Sequence, residues 1–227
     1  MSRDTITLKD IKSKRKNLKA ILFDLDGTLI DSQEGIITLY YEFAKSKGYN
    51  IPRENFDKLF GTPIEKVLAK LLPDKSKDEI SDYLVEIREI YSKNHLQSSC
   101  TFPNVVSMLQ KIKHQGYKIG IASTKFKKFV DEAVDYFGFR PFVDVVVSGY
   151  EVKRHKPAPD LIYYCAELLN VSPKDCVYIG DSPSDIKAGK SAGTLTIAVL
   201  TGSYTRDKFV KVKPDFVINE LTEIDFN

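Results

Sequence analysis

The sequence predicts an α/β domain, a parallel sheet covered by helices on both faces and interrupted after its first strand by a helical insert. Three observations carry this reading. Short apolar runs alternate with helical segments through the second half of the chain, which is the pattern of a parallel sheet with crossover helices. One further apolar run, Ala20–Asp24, stands far ahead of the others. Between it and the rest, about seventy residues read almost wholly as helix, far more than an ordinary connection needs.

In chain order, residues 1–19 form a basic segment in which seven Lys or Arg face only Asp4 and Asp10, so it carries +5 and the remainder −2. It contains no aromatic residue on which a base could stack, and it reads as a solvated leader with no nucleic-acid partner expected. Ala20–Asp24 (AILFD) is a short apolar run stopped by a charge, a buried strand. From Gln33 to about Leu96 the periodicity is helical. GIITLYYEFAKSKG ends on Gly48, a helix stop. PIEKVLAKLL starts on Pro63 and puts Val67, Leu68, Leu71 and Leu72 on one face. DEISDYLVEIREIYSKNHL does the same with Ile80, Leu84, Ile87 and Tyr91. After Pro103 the alternation resumes, with helices at 105–115, 127–137, 159–169 and 184–192 and strands at 117–122, 142–147, 176–180, 194–200 and 215–218. The expected organisation is a basic segment at 1–19, a core at 20–31 and 103–227, and a cap at 32–102.

Composition narrows the class. Of 227 residues, 42% are hydrophobic and 29% charged, ordinary for a globular chain with a sizeable core. No apolar run approaches the roughly 18–20 residues of a membrane span, and the N-terminus has no long apolar stretch of the secretory kind. Cys100, Cys165 and Cys176 are odd in number and widely spaced, which fits buried thiols in a reduced compartment better than a disulfide framework. A cytoplasmic monomer or homodimer is expected, with no membrane partner.

Ligands of open parallel sheets bind at the carboxyl ends of the strands. Those ends read Asp24-Leu25-Asp26-Gly27-Thr28, then Ser123-Thr124-Lys125, then Lys156-Pro157, then Gly180-Asp181-Ser182-Pro183-Ser184-Asp185. Carboxylates, a hydroxyl and lysines therefore converge on one edge. Carboxylates gathered together repel one another unless something positive offsets them. Mg²⁺ suits the set, because it takes oxygen ligands and bridges carboxylates to phosphates. Of Asp24 and Asp26, one can serve as nucleophile and the other as proton donor. Lys156 and Ser123 can receive phosphoryl oxygens, and Thr124 and Lys125 can shape the phosphate loop. Gly189-Lys190-Ser191 is not a nucleotide P-loop, since position 184 is Ser and the tripeptide lies late in a helix.

D-L-D-G-T-L, a strand ending in Ser, K-P and G-D-S-x-x-D, in this order, resemble the four motifs of the haloacid dehalogenase superfamily of aspartate-nucleophile phosphatases. The resemblance covers nearly all of the chain after residue 19. It implies a Rossmann-like three-layer core with an inserted all-helical cap. It further implies Asp24 as nucleophile, Asp26 as general acid and then base, and Ser123 and Lys156 as phosphoryl ligands. Mg²⁺ would be held by Asp24, the backbone carbonyl of Asp26 and Asp181, with Asp185 acting behind them. Lys156 would also keep Asp24 ionised. Asp26 is the residue that the superfamily's dehalogenases lack, so the motif favours phosphate esters or anhydrides. Phe60, Gly61 and Thr62, with Pro63, lie between two cap helices and resemble the loop that related phosphatases lower onto substrate; they also fit a plain helix-to-helix turn. The expected function is a Mg²⁺-dependent phosphatase acting on a small phosphorylated metabolite, phosphoglycolate first, pyrophosphate or a nucleoside monophosphate next. A non-catalytic member that binds a phosphate ligand or a protein is the alternative of another class.

Overall fold

The computed structural model describes residues 5–56, 59–60 and 62–226. In chain order the elements are β1 (Ile6–Thr7), α1 (Leu8–Lys14), β2 (Ala20–Phe23), β3 (Ile30–Asp31), α2 (Gln33–Ser46), α3 (Ile64–Leu71), α4 (Lys77–Asn94), β4 (Cys100–Thr101) and α5 (Val105–His114). They continue with β5 (Lys118–Ser123), α6 (Lys127–Tyr136), β6 (Val145–Ser148), α7 (Asp160–Leu168), β7 (Cys176–Gly180), α8 (Pro183–Ala192), β8 (Leu195–Val199), α9 (Arg206–Phe209), β9 (Phe216–Ile218) and β10 (Ile224–Asp225). The chain divides into two compact units, residues 1–31 with 101–227, and residues 32–100.

The larger unit is an α/β Rossmann-like core. Its main sheet is parallel in every pairing and has the order β6-β5-β2-β7-β8-β9. All four side chains of β2 are buried, as expected of an interior strand covered on both faces. Alternation sorts these side chains. Ala20 and Leu22 join Tyr178, Leu161, Cys165 and Ala188 in one apolar cluster under α7 and α8. Ile21 and Phe23, fully buried, point to the other face, where α5 and α6 pack on β5 and β6.

Register positions the chemistry. Phe23 lies opposite Ile121 of β5 on one side and Ile179 of β7 on the other. The next residue of β2's chain, Asp24, donates its backbone N–H to the Ile179 carbonyl at 2.9 Å. Asp24 therefore sits level with Gly180, the last residue of β7, and one residue short of Ser123, the last of β5. The chain runs from β2 through β5 to β6 on one side and resumes with β7 on the other, so the topological switch falls at Asp24, where open α/β sheets bind ligands.

The smaller unit is helical and has its own core, in which Tyr40 and Phe43 of α2, Val67 and Leu71 of α3 and Ile80 and Ile87 of α4 pack together. Helix α4 begins at a reciprocal cap between Ser76 and Glu79, which satisfies two otherwise unpaired N–H groups. No helix among the described residues is long and apolar enough to cross a membrane.

Two expectations are corrected. The first concerns residues 1–19, which the charge pattern presents as a solvated leader. Thr7 caps α1 by exchanging hydrogen bonds with Asp10, Leu8 and Ile11 are buried, and β1 pairs in parallel with β10. The lysines hid the signal: Leu8 and Ile11 are three apart, one apolar stripe on an otherwise charged helix. The second concerns the thiols. All three cysteines are free, and Cys165 and Cys176 are buried, but Cys100 is exposed.

Candidate active site

Tight turns and caps at the strand ends bring four of the motifs together. Behind Asp24 the chain turns at Gly27, whose φ of +78° suits glycine, and the Gly27 N–H donates to Ile30 O at 2.8 Å. A Cβ on Gly27 would stand 2.5 Å from Asp181 Oδ2, so the glycine also makes room for that carboxylate. After β7, Ser182 and Asp185 form a reciprocal cap on α8, with Pro183 at its first position. The cap holds Asp185 Oδ2 on the Ser182 backbone N–H at 3.1 Å. The other oxygen, Oδ1, accepts from Lys156 Nζ at 2.7 Å and from the Tyr178 hydroxyl at 2.9 Å.

Lys156 is the central cation. Its ammonium lies 2.9 Å from Asp24 Oδ1 as well as 2.7 Å from Asp185 Oδ1, with 3% of its side chain exposed. Asp24, Asp181 and Asp185 each present one oxygen within 4.8 Å of the others. Thr28 Oγ1 donates to Asp181 Oδ1 at 3.3 Å. One ammonium thus serves two members of a buried trio. Burial pushes the Asp24 carboxyl up to about 7; Lys156 opposes the rise, and Asp185 and Asp26 add to it. Burial also raises Asp181 well above the carboxylate range, with Asp185 and Asp24 reinforcing it. Burial works against the charge on Lys156, but Asp185 and Asp24 outweigh it and hold the ammonium protonated beyond the ordinary lysine range. Lys156 thus opposes, without outweighing, the upward push that burial and the neighbouring carboxylates put on Asp24. The shortage of positive charge among converging oxygens is what a divalent cation with oxygen ligands would make good, and the donor set fits one.

The remaining expected residues are placed as follows. Ser123 is buried at the end of β5, and its Oγ accepts from the Lys125 backbone N–H at 3.1 Å. Thr124 is partly exposed and backs onto Gly149. Lys125 directs its ammonium to Asp26 Oδ1 at 2.6 Å. The Asp26 carboxylate lies outside the converging trio, and Asp185 stands within it. Phe60 is buried and Thr62 partly buried, both in the helical unit, with the Thr62 N–H on Leu59 O at 3.1 Å. Gly61 lies outside the described residues.

Four contributors have no role assigned from the sequence, although Thr28 lies within the first motif. Thr28 and Tyr178 touch the carboxylates from a turn and from the middle of a buried strand. Thr201 and Gly202 follow β8. Thr201 Oγ1 donates to Gly27 O at 2.6 Å, and a Cβ on Gly202 would fall 1.8 Å from Asp181 Oδ2. The strand-end rule that located the other motifs applies to β8 as well and was the available signal. For Tyr178 there was none, because an aromatic in a buried strand reads as core.

Residues 21–199 match the protein family described as haloacid dehalogenase-like hydrolase. Among curated proteins, the chain is 31% identical over 208 residues to the pyrophosphatase PpaX of Bacillus mycoides, covering 91% of this chain and 95% of that one. It is 30% identical over 211 residues to the phosphoglycolate phosphatase of Aquifex aeolicus, again 91% of this chain and 95% of the relative. The crystal structure of a predicted phosphoglycolate phosphatase from Haemophilus somnus superposes with a TM-score of 0.81 at 25% identity, over 90% of this chain and 95% of that one.

Proposed function

Since the chain belongs to the haloacid dehalogenase-like hydrolase family, we propose that it is a Mg²⁺-dependent phosphatase that hydrolyses a small phosphorylated metabolite through an aspartyl-phosphate on Asp24, with phosphoglycolate the favoured substrate. One observation supports this above the rest: Asp24 stands at the topological switch, bound to buried Lys156 and converging with Asp181 and Asp185, while Asp26 is held apart on a second lysine.

In this reading an Asp24 oxygen attacks the phosphorus, and the bond from phosphorus to the leaving oxygen breaks. The Asp26 carboxyl gives its proton to that oxygen. The Asp26 carboxylate then takes a proton from water, whose oxygen attacks the phosphorus and releases Asp24 as carboxylate. Lys156 orients Asp24 and, with Ser123, receives the equatorial oxygens. Asp24, the backbone carbonyl of Asp26 and Asp181 would hold Mg²⁺, with Asp185 beside them. When bound there, Mg²⁺ supplies charge neutralisation to the phosphoryl oxygens.

Pyrophosphate is the second reading, because a relative of equal similarity is named a pyrophosphatase. The test is phosphate release with Mg²⁺ from phosphoglycolate, pyrophosphate, nucleoside monophosphates and sugar phosphates. The expected result is one preferred substrate, phosphoglycolate, with kcat/KM ahead of the others by about tenfold or more. A preference for pyrophosphate would transfer the assignment. Release from none, with folded and metal-loaded protein, would overturn the phosphatase reading.

The charge shortage also gives a pH signature. The folded Asp24 carboxyl titrates near 7, whereas in the unfolded chain it titrates near its ordinary value of about 4. Between those values the folded state keeps a proton that the unfolded state releases, so this group's contribution to the stability of metal-free protein declines as pH rises through that window. Mg²⁺ competes with that proton. The Mg²⁺-induced rise in Tm is therefore expected to be larger at pH 8 than at pH 5.5, read by thermal denaturation with and without chelator. An equal rise at both would count against the trio as the cation site.

A further inference from the structure

We propose that Lys125 is a positioning residue: its ammonium fixes the Asp26 carboxylate apart from the cation-binding carboxylates, where Asp26 exchanges protons with the leaving group and water. The inference rests on the phosphatase reading above and gives Lys125 a task other than the expected one of shaping the phosphate loop.

Three carboxylates of this edge are divided between two lysines. Lys156 serves Asp24 and Asp185 at 2.9 and 2.7 Å. Lys125 serves Asp26 at 2.6 Å, with 8% and 14% of the two side chains exposed. The pair joins loops that are 99 residues apart in the chain. Lys125 itself stands on a fixed base. Its N–H is on Ser123 Oγ at 3.1 Å, and its carbonyl accepts from Ser148 Oγ at 2.7 Å. Ser123 and Ser148 lie opposite one another in the β5–β6 ladder. The loop backbone is thus tied at both ends to the sheet, and the long side chain is left to reach across to Asp26.

The chemistry explains why such a tie is useful. Carboxylates are good ligands for a hard divalent cation, and Asp26 lies only two residues from Asp24. Drawn into the trio, Asp26 would be lost to proton transfer. A nearly dry ammonium on Oδ1 is a strong, charge-assisted competitor for it. Lys125 need not touch substrate to act. It keeps Asp26 in the one place where a proton can pass to the leaving oxygen and later return from water.

The experiment compares Lys125→Met and Lys125→Arg with wild type on two esters. One is the best alkyl phosphate of the panel, whose alkoxide leaving group needs a proton. The other is p-nitrophenyl phosphate, whose leaving group needs none, followed as nitrophenolate released in the first turnover. For Lys125→Met the alkyl ester should lose about 100-fold in kcat with little change in KM, the lower end of what a placed acid contributes. First-turnover nitrophenolate release should fall by less than about tenfold. Lys125→Arg should recover much of the loss. The Lys125→Met change should add little to Asp26→Asn, because both act through one group. A raised KM with equal losses on both esters would overturn the proposal in favour of a phosphoryl ligand. A reading independent of turnover is the ¹⁵N signal of the Lys125 ammonium, expected to be protected from exchange in wild type and unprotected in Asp26→Ala. Protection unchanged in that variant would also overturn it. Full activity of Asp24→Asn would instead strike at the phosphatase reading, and is distinguishable for that reason.

Discussion

Asp24→Asn is expected to abolish phosphate release, with kcat falling by a factor on the order of 10⁴ or more, while the folded protein survives. The amide is a poor nucleophile and a weaker ligand for Mg²⁺, so the variant should lose turnover on every substrate of the panel. Stability should move the other way in metal-free protein. Asp24 is one of three converging carboxylates, and its carboxyl is pushed up to about 7 chiefly by burial. A neutral isostere removes a buried charge that the site satisfies only in part. Metal-free Asp24→Asn should therefore be at least as stable as wild type at pH 8, and its Tm should respond less to Mg²⁺. Activity assays paired with thermal denaturation check both halves. An inactive but also unfolded variant would assign Asp24 a structural task, and a substantially active one would remove it as nucleophile.

Gly202→Ala is expected to be the most damaging substitution of a residue that carries no functional group. The added methyl would lie 1.8 Å from Asp181 Oδ2, 2.6 Å from its Cγ and 2.9 Å from its Cβ. The carboxylate has little room to retreat, because a Cβ on Gly27 would itself stand 2.5 Å from its Oδ2 and Asp181 is only 3% exposed. Asp181 is thus held between two glycines, and crowding one of them must displace it or the loop. Overpacking of this kind costs about 1–3 kcal/mol. The larger effect falls on the cation. Displacing a ligand or its support typically lowers metal affinity by about 10–100-fold, and kcat/KM at fixed Mg²⁺ should fall with it. Titration calorimetry with Mg²⁺ against Gly202→Ala gives the answer. Unchanged affinity would mean that the loop, not Asp181, yields.

The frame and the main carboxylates were readable because both follow from local rules. The strands at Ala20, Lys118 and Cys176 are short β-rich apolar runs, and the motifs sit where parallel strands end. Contacts made by one residue across long separations were not readable. Nothing near Lys125 in the chain announces Asp26 as its partner. Nothing in Cys176–Gly180 separates Tyr178, whose hydroxyl holds Asp185, from its apolar neighbours. Gly202 is one glycine among twelve, and only its approach to Asp181 distinguishes it. The docking of α1 was hidden for another reason: two buried side chains are a faint stripe among so many lysines.

The interior place of β2 bears on how the protein is made. Its four apolar residues leave the ribosome early, yet its neighbours β5 and β7 are encoded 95 and 153 residues after Phe23, at Lys118 and Cys176. At about 5–20 residues per second, the second neighbour follows after roughly 8–30 s. The helical unit, contiguous from Ser32 to Cys100, is complete before either arrives. During synthesis the strand that leads into Asp24 is therefore an unpaired apolar segment upstream of a contiguous helical unit. A truncated product that stops before Asp181 would carry Asp24 and Lys156 but neither Asp181 nor Asp185.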